Sequence, residues 1–251
     1  MRISSAGRGV FAAVMIGIGV LGLVASKFIA FWVPTTAHLP FPEGLARACA
    51  LVSLFAGLGL LSPRIAVLAP ALLLAWLLPW SLLSKIPAIL QALGTAALWE
   101  SLGEALVVAA GAWALFAHLA GDRAHKPLAL ATGACGLRIA RMLLGLALLP
   151  LGVAHFAYVE QTAVLVPNWL PEHAAWVYVT GASYVAAGVA LLAGVCTRLA
   201  AALAAAQMGL FTLLVWLPYV IDSPHDLGQW SELLDSAALA AAAWVVARAI
   251  D

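Results

Sequence analysis

The sequence predicts an all-α, polytopic membrane protein with eight transmembrane helices, arranged as two parallel-repeat four-helix bundles. Three observations carry this reading. Apolar residues make up 65% of the 251-residue chain and charged residues 9%, whereas a soluble domain averages roughly 45–50% and about 25%. Charge-poor stretches recur along the whole chain, leaving almost nothing to build a wet surface. The chain also says nearly the same thing twice. Trp99 to Trp113 reads WESLGEALVVAAGAW and Trp230 to Trp244 reads WSELLDSAALAAAAW, so that at an offset of 131 Trp99 falls on Trp230, Glu104 on Asp235 and Trp113 on Trp244. Internal repetition of this kind has to be settled before any other assignment.

The spans follow in order: Gly9–Ser26, Ala48–Pro63, Ile65–Ser84 and Ala105–Ala117 in the first half, then Met142–Ala154, Ala174–Thr197, Leu199–Ile221 and Ser236–Ala247 in the second. A span needs about 20 mostly apolar residues, fewer when polar ends snorkel. The first stretch resembles a signal peptide, with Arg2 and Arg8 ahead of an apolar run. It is longer than the usual ~7–15-residue apolar region. It also matches Met142–Phe156, with Gly17 on Gly145 and Lys27-Phe28 on His155-Phe156. It is therefore read as the first helix. The units are residues 1–119 and 136–251, joined by a polar linker at 120–135 that contains GDRAHKP. Four spans per unit is an even number, so both units enter the membrane in the same sense and their axis runs along the membrane normal.

Charge sets the orientation. With both termini in the cytoplasm, Arg2, Arg8, Arg64, Arg123, Lys126, Arg138, Arg141, Arg198 and Arg248 fall inside, nine of the twelve basic residues. Nine of the eleven acids fall outside. This is the positive-inside pattern of a multi-pass protein of the plasma (inner) membrane, whose environment is the lipid bilayer. A net charge of +1 with no dense basic patch argues against a nucleic-acid partner. Cys49, Cys135 and Cys196 form no CxxC pair, and no two histidines sit four apart on an expected helix, so neither a disulfide nor a metal site is expected.

Each unit carries a long outer connection after its first helix. In the second unit this runs from Ala157 to His173 with the core VPNWLP. Val166, Pro167, Trp169 and Pro171 are read as a half-buried cap on the outer end of the bundle, with a plain aromatic anchor at the headgroup level as the alternative. Below lie the acids. Glu104 and Asp235 each sit five residues past a Trp that marks the outer interface, roughly 7–8 Å inward. Glu100 and Glu232 lie about one turn shallower. An intramembrane carboxylate needs a partner. The repeat proposes Lys27 for Glu104 and His155 for Asp235, closing the first and last helices of each bundle. These pairs read either as structural struts or as a protonatable site, to which Glu160 also belongs. Within that site the histidine pair is the better candidate, because His titrates near neutrality.

A Lys or His closing the first helix, a Pro-bearing outer loop, a glycine-rich second helix ending before an Arg (GVALLAGVCTRLAA) and an acid followed by small and aliphatic residues in the fourth helix (EALVV, DSAAL) occur together here. In these features the chain resembles the DoxX/DoxD-like four-helix membrane proteins, in tandem-duplicated form. The resemblance implies a link to membrane redox systems. Two features depart from that family: Ser53 and Tyr184 stand where many relatives carry a Glu, and the GxGxxSxD-like ending is missing. The expected function is an accessory subunit of a respiratory, quinone-linked oxidoreductase system. Quinone is then the cofactor to test, and a membrane or periplasmic redox protein the partner. No haem, flavin, nicotinamide or metal signature is evident in the chain, so it does not read as a stand-alone enzyme. A non-catalytic scaffold or assembly factor is the alternative. A small-molecule or ion transporter comes third, since few polar residues (Thr180, Ser183, Gln207, Thr212) lie at mid-membrane depth in the second unit.

Overall fold

Eight helices are long and apolar enough to cross a membrane, as the sequence predicts. In lipid every backbone N–H and C=O must be satisfied within the segment, which leaves the helix as the form these apolar runs adopt. The structure, a computed structural model, describes residues 5–36, 39–121 and 131–250. Arg2, His38, Arg123 and Lys126 lie outside the described residues. The spans are α1 (Ser5–Ala25), α2 (Pro42–Leu61), α3 (Leu68–Gln91), α4 (Ala96–Ala120), α5 (Gly133–Ala157), α6 (His173–Ala193), α7 (Thr197–Asp222) and α8 (Leu227–Ala249). No strand occurs among the described residues.

Two spans are interrupted. Lys85 breaks α3 into Leu68–Ser84 and a last stretch, Ile86–Gln91, led by Pro87 near its start. In α7 a π-helical turn, Thr212–Trp216, separates Thr197–Phe211 from Leu217–Asp222.

Glycine sets how closely the helices approach. A Cβ on Gly57 of α2 would lie 2.6 Å from the Ala12 carbonyl oxygen of α1, and one on Gly188 of α6 would lie 2.8 Å from the Gly145 oxygen of α5. Small residues allow this contact where lipid offers no hydrophobic drive between helices.

The helices follow one another around the molecule in chain order. Each packs on the next, and α8 closes on α1. Across the middle α4 meets α8, where a Cβ on Gly111 would come 2.6 Å from Ala242 Cα. This corrects one expectation. The first and last helices of each half are not the main closing pair: α5 touches α8 only slightly, and α1 and α4 make no substantial contact. Instead α4 packs on α5 and α8 packs on α1. The reason is the small-residue surface of α4 and α8. Gly103 of α4 approaches the Ala147 oxygen of α5, Gly17 of α1 receives Leu234 of α8, and the two central helices are buried along most of their Ala- and Val-rich length. Large apolar side chains such as Leu51, Phe55, Leu72, Val189, Leu203 and Leu210 are exposed around the outside and form the lipid-facing belt.

Several local features recur 131 residues apart. Trp99 Nε1 donates to the Leu93 oxygen and Trp230 Nε1 to the Pro224 oxygen, both at 2.9 Å. Phe41 ahead of α2 and Glu172 ahead of α6 are both left-handed, at φ 50° and 53°.

Candidate functional site

Where α1, α3 and α5 end and α2, α4, α6 and α8 begin, the chain gathers its acids. Lys85 stands at the break in α3 and is fully enclosed. Its Nζ donates to the Val33 carbonyl at 2.8 Å and to Ser101 Oγ of α4 at 2.6 Å. Glu104 of α4 and Asp235 of α8 are both within electrostatic reach of this ammonium and of each other. Asp235 is 8% exposed, and its Oδ1 accepts from the Phe31 backbone N–H at 3.1 Å. Glu100, half-buried, and Glu232, exposed, complete the group within reach of the deeper carboxyls. The four acids thus run from the rim inward along the α4–α8 contact and end on one buried cation. Taking such charges out of water costs several kcal/mol per ion, so they persist only when paired and hydrogen-bonded. Lys85 and Asp235 are held by hydrogen bonds, and Glu104 lies within electrostatic reach of Lys85 without a direct ion pair.

The same end is closed by the connection between α1 and α2. Ile29, Phe31 and Trp32 are buried, Trp32 to 1%. Trp32 Nε1 donates to Ser53 Oγ of α2 at 2.7 Å, and Trp80 Nε1 of α3 donates to the Trp32 carbonyl at 3.0 Å. Ala30 N–H donates to Ser231 Oγ of α8 at 2.9 Å, and the N–H groups of Thr35 and Thr36 donate to the Ser84 carbonyl. A connection at membrane depth that holds only a single 3-10 turn, Ala30–Trp32, has to be satisfied by protein in this way.

The expected pairs are not formed. Lys27 lies exposed just past α1 and makes no bond to Glu104. The cation beside Glu104 is Lys85, which can reach the cluster because α3 breaks there. His155 and Asp235 are not joined. His155 Nδ1 donates to the Leu151 carbonyl at 2.8 Å, and its ring packs against Tyr184 of α6 and Phe211 of α7. Asp235 turns instead to α3, α4 and the first connection. The physical reason is the closure of α8 on α1. Tyr184 in turn bonds Gln207, which bonds Ser183 and the Thr180 carbonyl. Glu160 is exposed on the short helix Val159–Ala163. The second connection does not bury its cap. Val166 and Pro167 are half-buried, Pro171 is exposed, and Trp169 is 70% exposed.

Sequence reasoning missed Lys85, Ser101, Ser231 and the Phe31 amide. A signal for Lys85 was present, a lone cation inside an apolar run (WSLLSKIPAIL), at a position where the second half reads Trp216-Leu217-Pro218. Backbone donors leave no trace in a sequence. Among the described residues no group of three His, Cys, Asp or Glu is placed to hold a metal ion. All three cysteines are free, and Cys49 is buried with Trp76 Nε1 3.4 Å from its sulfur.

Residues 144–249, from within α5 to the end of α8, match a family described as a domain of unknown function, DUF8561. No curated protein and no solved structure matches the chain.

Proposed function

We propose that this protein is an accessory subunit of a quinone-linked oxidoreductase system in the inner membrane, and that its working part is the ionic cluster around Lys85. One observation carries the reading: a fully enclosed ammonium with Glu104 and Asp235 in reach, supplied by three separate helices. Ionisable groups within membrane spans are rare and mark proton relays and substrate paths. A rim-to-depth series of carboxyls ending on an amine can pass a proton from the outer surface to a group inside the bundle. The resemblance to DoxX/DoxD-like proteins supplies the redox setting and the quinone, and a redox partner supplies the electron-carrying centres.

The reading also takes the chain as two parallel repeats. Under it, the axis passes near Gly111 and Ala242, which lie 131 residues apart and touch. The cluster then sits on that axis, fed by Glu104 and Glu100 from one repeat and Asp235 and Glu232 from the other. Both termini face the cytoplasm in this arrangement.

A scaffold or assembly role is the second reading. What favours it is that Lys85 and Asp235 both hold the backbone of the first connection, the behaviour of a strut.

Purification from native membranes in gentle detergent separates the two. Co-purification of a partner with a haem or flavin spectrum, together with extractable quinone, is the expected result. Partner capture without quinone, and with unchanged quinone reduction when Lys85→Met replaces the native chain, leaves the scaffold reading. For orientation, a cysteine at Asp226 should label from outside intact cells while Cys135 does not, and the reverse pattern inverts the topology.

A further inference from the structure

The outward faces of α2 and α6 differ in a way that lipid alone does not ask for. At the offset of 131, Leu51 and Phe55 of α2 stand where α6 has Ala182 and Ala186, and all four are exposed. Val52 corresponds to Ser183, which is exposed too, and Trp76 of α3 corresponds to Gln207 of α7. The first half thus turns large apolar side chains outward, and the second half turns small and polar ones outward at the same places. The second pair of helices is also less enclosed. Of their apolar stretches, 33% of α6 and 28% of α7 is buried, against 44% for each of α2 and α3.

Depth makes the polar groups costly. Ser183 and Gln207 each lie ten residues past the start of their helix, roughly 15 Å in at 1.5 Å per residue. That is the middle of a hydrocarbon core about 30 Å thick. Neither side chain is long enough to snorkel to water from there. The two are bonded to each other, and Gln207 Nε2 donates to the Thr180 carbonyl at 3.1 Å. Capacity remains. A glutamine amide has four hydrogen-bonding places, and here it uses three, with Thr180, Ser183 and Tyr184. The single hydroxyl hydrogen of Ser183 has two acceptors in reach, Gln207 Oε1 and the Thr180 carbonyl, so its oxygen keeps its own lone pairs.

Inside a bilayer, small residues that let backbones approach and Ser or Gln groups that bond across are what helices use to associate. We propose that the α6–α7 face is the contact surface for a second copy of this chain, giving a homodimer with its two-fold axis along the membrane normal. Self-complementarity selects the occupant. Serine and glutamine both donate and accept, so the patch matches its own image, and it carries no charge that would call for an opposite one. An axis along the normal keeps each residue at the depth of its copy, so Ser183 of each chain faces Gln207 of the other. Because the first half lacks such a face, each chain offers one patch, and the assembly closes at two. The proposal is independent of how the Lys85 cluster works.

Crosslinking in native membranes tests it on the full chain. Cys135→Ser and Cys196→Ser leave only the buried Cys49 as background. On that background Ala182→Cys or Ala186→Cys, oxidised with copper phenanthroline, should give an adduct of twice the chain's mass. Leu51→Cys and Phe55→Cys, at the matching places of the first half, should stay monomeric. Ala186→Phe installs the first half's residue at an exposed position and so spares the fold. It should weaken self-association at least tenfold, measured by energy transfer between labelled chains in phosphatidylethanolamine–phosphatidylglycerol vesicles diluted with lipid. Ser183→Ala, which removes one bonding group per chain, should weaken it about threefold. Equal crosslinking at the two sets of positions overturns the proposal, as does none at 182 and 186. An adduct of any other mass, which makes the occupant a different protein, overturns it as well. So does an unchanged affinity in both Ala186→Phe and Ser183→Ala.

Discussion

The connection after α1 and the connection after α5 occupy equivalent places in the chain, yet one is buried and the other lies on the surface. Trp32 is 1% exposed and Trp169 is 70% exposed. The difference begins in composition. Residues 29–33 read Ile-Ala-Phe-Trp-Val, all apolar, whereas Val159-Glu160-Gln161-Thr162 carries a charge and two polar groups that could not be enclosed without partners. Composition alone does not bury a backbone, however. The first connection goes in because Asp235, Lys85, Ser53, Ser231 and Trp80 are placed to satisfy its amides, carbonyls and indole. The second half offers Trp216 where the first has Lys85, and Tyr184 where the first has Ser53. The contrast teaches that a membrane-depth loop is decided by the helices that receive it as much as by its own residues.

The largest test of that contrast is Lys85→Met. It leaves two carboxyls without their cation and a carbonyl without its donor, and should cost about 3–5 kcal/mol, the usual loss on removing one partner of a buried ionic group. Denaturant titration in detergent measures it, and a variant that melts like wild type would remove the cluster from the account. Trp32→Ala should follow at about 3 kcal/mol, toward the lower end for a fully buried aromatic. Asp235→Asn should cost about 1–2 kcal/mol, since the acceptor for Phe31 N–H remains but its charge is gone. Glu104→Gln, at a half-buried position that makes no hydrogen bond to the segment, should cost less, so thermal melts in the opposite order would break the asymmetry. A two-glycine insertion after Val164 should leave the melt within about 1 kcal/mol of wild type, whereas the same insertion after Phe31 should be felt as strongly as Trp32→Ala. Trp169→Ala should be smallest, within about 0.5 kcal/mol, as for exposed positions generally.

The eight spans were legible because each apolar run is long and the charges fall between runs. The acids Glu100, Glu104, Glu232 and Asp235 were legible for the same reason, as departures from an apolar rule. Their companions were not. Hydropathy says that α4 and α8 carry small faces, but Ala and Gly stripes occur on several spans and do not name a partner, so the closure of α8 on α1 could not be read. With that closure unknown, Lys27 and His155 were paired with the acids because the repeat matches them at the same outer helix ends, and Lys85, far nearer to Glu104 in the chain, was passed over. Trp32 and Trp169 looked alike as loop tryptophans. What separates them is the Ser53 hydroxyl and the Asp235 carboxylate, which lie 21 and 204 residues from the groups they bind.

Gly111 meeting Ala242 has an evolutionary consequence under the repeat reading. In an assembly of two identical four-helix chains, a residue on the axis meets its own copy, and every charge near the axis comes in pairs. A lone lysine facing two carboxyls from different halves is then forbidden. Joining the halves into one chain lifts that restriction. One half can keep Lys85 while the other holds Trp216, and one loop can turn inward while its twin stays out. Fusion thereby gives the axis an odd number of charges and two unlike connections, which a symmetric pair of subunits has no means to build.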